Sequence, residues 1–114
     1  MNQYDRPLTT DTALRLLSTR QRRAVLRRLT DTGEPITVES LTASLATGST
    51  PPDAVRIQLL HRDLPKLHDD GVIDYDADGR TVRRGPGFDR VATLLEAVDA
   101  TREPVPGTAG YNAE

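Results

Sequence analysis

The stretch at residues 55–76, VRIQLLHRDLPKLHDDGVIDYD, constrains the fold more than any other part of the chain. Apolar residues recur along its first half at the spacing of one helix face, namely Ile57, Leu60, Leu64 and Leu67. This spacing predicts an amphipathic helix with a single buried stripe. Gly71 follows the stripe and can take the positive φ that ends a helix.

A short hairpin is predicted directly after this helix. Residues 72–75 are rich in strand formers, Asp78-Gly79 marks a tight reversal, and residues 81–83 return. A helix that runs into such a hairpin is typical of the second half of a winged helix-turn-helix. The predicted fold class is therefore α+β, mostly helical with a small antiparallel wing and a C-terminal dimerisation helix.

Pro65 conflicts with a straight helix in this stretch. A proline inside a helix removes a hydrogen bond and clashes with the turn before it, at a cost of roughly 3 kcal/mol. Two arrangements relieve the conflict: a kink in a continuous helix, or a fresh short helix from Leu64 onward that is capped by Asp63. The kinked continuous helix is favoured, because the apolar stripe crosses Pro65 without a change of phase.

Two helices are predicted near the start of the chain. The first spans residues 12–17, with Thr10 or Asp11 as its cap. The second spans residues 20–30 and begins with STRQ at residues 18–21, which has the spacing of a capping box.

The remaining elements complete the predicted order. Residues 35–37 predict a third strand for the wing, and residues 38–46 predict another helix. The chain is accordingly divided into a flexible arm at 1–8, a winged helix-turn-helix domain at 9–86, a C-terminal helix at 87–102 and a disordered tail at 103–114.

The composition predicts a soluble cytoplasmic protein without a membrane partner. The 114 residues suffice for one domain, no run of them is apolar enough to span a membrane, and no signal-peptide pattern is present. There is no Cys, which excludes disulfides and thiolate metal sites. Arg outnumbers Lys by fourteen to one, and Asp outnumbers Glu by twelve to five. This bias fits a high-GC genome alone or a halophilic protein, and the halophilic interpretation is favoured.

Three segments carry a resemblance to known proteins. HRDLPKL at residues 61–67 runs into DGVIDY at residues 70–75, which resembles the recognition helix and first wing strand of ArsR-like winged-helix regulators. With LLS at residues 16–18 and the arginines after it, the chain more closely resembles a haloarchaeal winged-helix family of unknown function. The resemblance spans about residues 13–84 and implies a DNA-binding transcription regulator of archaeal type. It does not extend to metal sensing, because the usual Cys ligands are absent.

The polar face of the long helix, about residues 53–70, offers side chains that can reach base edges or phosphates in a major groove. Together with the preceding turn and the wing at residues 72–84, the candidate DNA-binding residues are Thr50, Arg56, Gln58, Arg62, Lys66, Arg80 and Arg83. Acidic residues oppose this interpretation on the helix and on the wing: Asp53, Asp63, Asp69, Asp70, Asp74, Asp76 and Asp78. Molar salt would screen their repulsion of phosphate, since the Debye length is then about 3 Å.

A second basic face is predicted on the helix at residues 20–30, where Arg20, Arg23 and Arg27 share one side. Such a face can neutralise phosphates. In a winged helix it is also often solvated or paired with the carboxylates of a partner, and these interpretations stay open here.

No catalytic, cofactor or metal site is predicted. His61 and His68 lie two turns apart, roughly 10.5 Å along a helix axis, which is too far for one metal ion to bridge easily. The chain also has no Gly-rich phosphate loop and no nucleophile elbow. An enzyme is therefore not expected.

The C-terminal helix carries apolar residues at heptad-like spacing, namely Phe88, Val91, Leu95 and Val98. This seam either packs on its own domain or pairs with a second copy, and the homodimer is favoured because it would place two recognition helices on successive half-sites. The predicted function is thus a homodimeric regulator that binds duplex DNA without a cofactor. The alternative is a winged-helix module that binds another protein. A continuous positive stripe over the long helix and wing would favour DNA, and a mosaic of charges would favour the alternative.

Overall fold

The computed structural model describes residues 8–102, so the predicted arm and tail, apart from Leu8, lie outside the described residues. The elements in chain order are α1 (Thr10–Leu16), α2 (Arg20–Thr32), β1 (Ile36–Thr37), α3 (Val38–Leu45), α4 (Pro52–Gln58), a π turn (Leu59–Asp63), α5 (Leu64–Asp69), β2 (Ile73–Asp76), β3 (Thr81–Arg84) and α6 (Phe88–Arg102). The fold is α+β and mostly helical with a small three-stranded antiparallel sheet. This confirms the predicted fold class and is compatible with a winged helix.

α1 begins earlier than predicted. Thr9 has extended backbone, and its Oγ1 accepts the N–H of Thr12 at 3.1 Å. Thr9 is therefore the N-cap, and the predicted caps Thr10 and Asp11 lie in the first turn. Asp11 still favours this end of the helix, because a carboxylate there complements the helix dipole.

α2 begins without the predicted capping box. Its N-cap is Thr19, whose side chain makes no capping hydrogen bond. Ser18 Oγ instead donates to the carbonyl of Arg15 at 2.7 Å, and Gln21 Nε2 donates to a carboxylate of the long helix. α2 ends at Gly33, which has φ 68°, the left-handed conformation that a glycine adopts at low cost.

The three strands lie in the spatial order β1–β3–β2, and both pairs are antiparallel. The predicted third strand is confirmed, because Ile36 of β1 lies opposite Val82 of β3. Arg80 in the turn before β3 has φ 52°, which is uncommon for a residue other than glycine. Its carbonyl accepts the N–H of Val38 at 2.9 Å, so the amino end of α3 is joined to the wing turn.

α4, the π turn and α5 form one continuous helix, Pro52 to Asp69, called the long helix below. The predicted continuity across Pro65 is thus confirmed. The N–H of Leu64 donates to the carbonyl of Leu59, five residues earlier, which is the hydrogen bond of a π turn. We attribute this wider turn to Pro65, because proline lacks an N–H and its ring clashes with the carbonyl four residues before it in a regular α-helix.

The π turn changes the phase of the buried face, which the sequence analysis had assumed to be constant. The fully buried apolar residues of the long helix are Val55, Leu59, Leu64 and Leu67, and a step of five separates the second from the third. In the predicted stripe, Leu64 and Leu67 were therefore correct. Ile57 was wrong, since it is 59% exposed, and Leu60 is only half-buried.

α6 packs against α1 and α2. Phe88, Val91 and Leu95 are at most 3% exposed and belong to the same hydrophobic core as the buried residues of those helices. These three residues are core positions of the monomer and not the exposed seam that their spacing predicted, whereas Val98 is half-buried. Among the described residues, no helix has the length and hydropathy needed to cross a lipid bilayer.

Candidate nucleic-acid interface

The accessible side of α4 is mixed in character. Arg56 is partly exposed, and its Nη2 lies 2.7 Å from Oε1 of Glu39 in α3. Ile57, which the sequence analysis placed in the core, projects into solvent, and Gln58 is half-buried. α4 therefore presents an ion pair and a large apolar side chain where the sequence predicted mainly cations and amides.

Asp63 is not on the solvent face that the sequence analysis assigned to it. Its side chain is fully buried in the π turn. Its Oδ2 accepts Gln21 Nε2 at 2.8 Å and Arg62 Nη2 at 3.1 Å, and its Oδ1 accepts Arg62 Nε at 2.8 Å and Arg22 Nη1 at 3.2 Å. A buried carboxylate requires such partners, because an uncompensated buried charge is strongly unfavourable.

Arg22 connects this carboxylate to α1. It is 9% exposed, and its Nε and Nη2 donate to the carbonyls of Leu16 and Arg15 at 2.9 and 3.2 Å. Arg22 thus binds carbonyls in the last turn of α1 as well as Asp63 in the π turn, and it shares the Arg15 carbonyl with Ser18. The sequence contained no signal for this cluster, since Arg22 and Asp63 are 41 residues apart.

Arg62 is held by Asp63 in a bidentate geometry, while half of its side chain remains exposed. The hydrogen bonds that Arg62 donates to Asp63 raise the pKa of Arg62 above its usual value, although burial acts in the opposite direction. The guanidinium has five N–H groups, and the pairing with Asp63 leaves some of them able to bind another acceptor. Arg62 is therefore an oriented donor rather than a freely moving cation.

The other polar residues of α5 make local contacts. Lys66 Nζ lies 3.4 Å from Asp70 Oδ2, one helical turn away. His68 Nδ1 lies 3.3 Å from the carbonyl of Ile73, at the junction between the long helix and the wing. His61 is exposed on the π turn. His61 is thus a solvent-exposed helix residue, and His68 contacts the backbone where the long helix joins the wing.

All three arginines of the wing are exposed, and they differ in what their guanidinium groups contact within residues 8–102. Arg80 and Arg83 are exposed, and Arg83 lies opposite Asp74 in the β2–β3 register. Arg84 is turned back, because its guanidinium donates to carbonyls at the end of α2 and lies 4.8 Å from the ring centre of Phe88. The guanidinium of Arg84 is therefore engaged with α2, whereas no side-chain hydrogen bond holds Arg80 or Arg83 within the described residues.

The predicted basic face of α2 is only partly available. Arg27 Nε donates to Asp99 Oδ2 of α6 at 3.1 Å, and Arg23 Nη1 donates to the carbonyl of Leu17 at 2.6 Å. Arg20 is exposed. Arg27 is thus paired with a carboxylate, but this carboxylate belongs to its own chain and not, as the sequence had suggested, to a partner.

The charges on the long helix form a mosaic. Among the described residues, each cation of this helix has a carboxylate partner: Arg56 with Glu39, Arg62 with Asp63 and Lys66 with Asp70. Thr50, the remaining candidate, lies half-buried in the turn before α4, where its N–H donates to Thr47 Oγ1 at 2.9 Å. The structure therefore brings the predicted residues onto neighbouring surfaces, but not into one uniformly positive stripe.

Comparison with protein families gives one informative match. A family model described as a domain of unknown function (DUF7344) matches residues 14–83, which include the long helix and most of the wing but not α6. Comparison with curated proteins and with solved structures gives no significant match.

Proposed function

The chain belongs to the DUF7344 family, and we propose that it is a transcription regulator that binds duplex DNA as a homodimer. The observation that supports this most is the exposed outer side of α4, in a helix whose α5 part packs against β2 of the three-stranded wing, with Val38 of α3 bonded to the wing turn. In winged-helix proteins such a helix enters the major groove while the flanking elements contact the backbone.

The charge mosaic is the pattern expected of the protein-interaction alternative, but it opposes DNA binding only weakly, because its exposed ion pairs are weak. An exposed pair such as Arg56–Glu39 contributes roughly 0–1 kcal/mol. Exchange of the carboxylate for a phosphate therefore costs little, and it releases counterions from the DNA. Arg62 differs, because its partner Asp63 is buried and has two further donors in Gln21 and Arg22.

The homodimer requires a face of α6 that shares only Val98 with the predicted seam. Residues on the outward side of α6 form a shallow apolar groove of about 320 Å³, lined by Leu94, Ala97, Val98 and Thr101. Pairing of two copies through this face would leave the core residues of α6 in place. It would also link two long helices, which raises affinity for a site that contains two half-sites.

Fluorescence anisotropy with a random duplex over a salt series tests the proposal. We expect binding that weakens with salt, and weakening of roughly 1–3 kcal/mol for Arg56→Ala if that side chain contacts a base. Glu39→Ala is a matched variant that should strengthen binding, because it removes a competing carboxylate. Arg90→Ala, which removes an exposed cation of α6, serves as the control for general charge.

A second candidate function is a protein-interaction module, and it is favoured by the exposed Ile57 within the charge mosaic. Interfaces between proteins commonly place an apolar side chain at the centre of a polar rim. Absence of duplex binding even at low salt would support this function. The same would follow if the triple variant Arg56→Ala, Arg62→Ala, Lys66→Ala bound DNA as the wild type does.

A further inference from the structure

A groove of about 570 Å³ lies between α2 and the turn that connects α3 to α4, and we call it the arginine groove. The polar lining that matters here comes from three elements: Arg20 and Arg28 of α2, Thr47, Ser49 and Thr50 of the turn, and Arg62 of the long helix. Its volume is within the range of small-molecule sites in proteins.

Two arginines of the groove have no carboxylate bound to them. Within residues 8–102, no ion pair holds Arg20 or Arg28. Nε of Arg28 is buried and has no hydrogen-bond partner in that part of the chain. A buried donor without an acceptor is unfavourable, so part of the hydrogen-bonding capacity of Arg28 is unused within the described residues. Asp31 also lines the groove, so its wall carries one carboxylate against these two free cations.

Arg62 contributes a third guanidinium, whose orientation is fixed by its hydrogen bonds to Asp63. Asp63, itself buried, binds Nε and Nη2 of Arg62, and the rest of this guanidinium is available at the groove wall. Arg27 lines the groove as well, but its Nε and Nη2 bind Asp99. The groove therefore combines one oriented arginine with two that lack an acidic partner.

The turn supplies hydroxyl groups on an ordered backbone. The N–H of Thr50 donates to Thr47 Oγ1 at 2.9 Å, and the N–H of Thr47 donates to the carbonyl of Thr50 at 2.8 Å. Ser49 Oγ lies 3.3 Å from Thr47 Oγ1. Guanidinium and hydroxyl donors that converge in this way are typical of sites that bind phosphate oxygens.

We propose that the arginine groove is a binding site for phosphate groups, with Arg20, Arg28 and Arg62 as its principal donors. The phosphates come either from the backbone of a DNA duplex that lies against the turn before α4, or from a free phosphorylated ligand. The site does not depend on base contacts by α4, because its donors lie on α2, on the turn before α4 and on the π turn.

Isothermal titration calorimetry of the full chain with inorganic tripolyphosphate tests the site directly. We expect saturable binding, weakened about tenfold or more by Arg28→Ala and by Arg20→Ala, since each removes charge-assisted hydrogen bonds. Arg28→Lys should retain part of the affinity, because it keeps the charge and loses the planar fork. Arg15→Ala and Arg90→Ala remove exposed arginines elsewhere and should change the affinity less than twofold.

Two results would overturn the inference: no binding of tripolyphosphate by the wild type, or equal weakening by Arg28→Ala and Arg90→Ala. Thermal melts of each variant, followed by circular dichroism, show whether a loss of binding reflects unfolding. Arg28→Lys keeps the test decisive if Arg28→Ala fails to fold.

Duplex DNA in the same variants identifies the source of the phosphates. If it is the DNA backbone, Arg20→Ala and Arg28→Ala each lower the salt slope of duplex binding by about 1, and tripolyphosphate competes with the duplex. If it is a free ligand, tripolyphosphate binding is lost in these variants while the salt slope is unchanged. Tripolyphosphate binding without any duplex binding would support the groove and contradict the proposed DNA-binding function.

Discussion

The long helix and α6 each carry apolar residues at the spacing of one helix face, and the structure treats them differently. In α6 the residues Phe88, Val91 and Leu95 are all buried together, but against their own domain. The long helix also packs on the core of its own domain, but one residue of its predicted stripe, Ile57, lies outside the buried face. Spacing thus shows which residues share a face only while every turn is regular, and it does not show what covers that face.

The largest expected effect concerns α6. Leu95→Glu should destabilise the monomer by more than about 4 kcal/mol, because it places a charge without a partner in the core. The matched variant Leu94→Glu, at a half-buried neighbour, should cost far less. Urea denaturation followed by circular dichroism measures both. A stable, folded Leu95→Glu monomer would show that this residue is not in the core.

The buried carboxylate of the π turn has the next largest effect. Asp63→Ala should cost about 3–5 kcal/mol, because it leaves buried Arg22 without its carboxylate. Glu39→Ala removes an exposed carboxylate instead and should change the free energy of unfolding by less than about 0.5 kcal/mol. Equal effects in denaturant melts would mean that Asp63 is accessible to water.

The phase of the long helix is tested by a pair of neighbouring truncations. Leu59→Ala should cost about 2–5 kcal/mol, as for other buried leucines, since its side chain is fully buried at the first residue of the π turn. Ile57→Ala should cost less than about 0.5 kcal/mol, because Ile57 is exposed. A larger loss of unfolding free energy for Ile57→Ala than for Leu59→Ala would support the unbroken stripe that the sequence predicted.

The smallest effect is expected for the ion pair between α4 and α3. A double-mutant cycle on Arg56 and Glu39 should give a coupling energy of about 0–1 kcal/mol that decreases with added salt. A coupling energy well above about 2 kcal/mol would show that the pair contributes substantially to the stability of the fold. Exchange of Glu39 for a DNA phosphate would then be expensive, and the proposed role of Arg56 would be weakened.

Much of the fold could be predicted because its signals are local. The two wing strands, the third strand at Ile36–Thr37 and the glycine that ends α2 follow from residues close in the chain. Helix starts were predicted less accurately, because a side chain that could cap a helix can also bind another nearby backbone group. Ser18 illustrates this, since its hydroxyl binds the carbonyl of Arg15 rather than capping α2.

The candidate site could be predicted only as a set of residue types. Arg56, Arg62 and Lys66 were identified from their helix spacing, but their carboxylate partners were not. The arginine groove was missed because its donors come from three separate elements. The one signal for it was the arginine-rich, acid-free segment that contains Arg20 and Arg28.

The sequence by itself determined the order of the elements, the continuity of the long helix and the apolar residues available for burial. These depend on backbone preferences and hydrogen bonds within about four or five residues. Only the tertiary structure decided that Asp63 is buried, that Ile57 is exposed and that the α6 stripe covers its own core. The physical reason is that burial depends on partners far along the chain, such as Arg22 for Asp63, and on the rotation that a single π turn imposes on every residue of the long helix that follows.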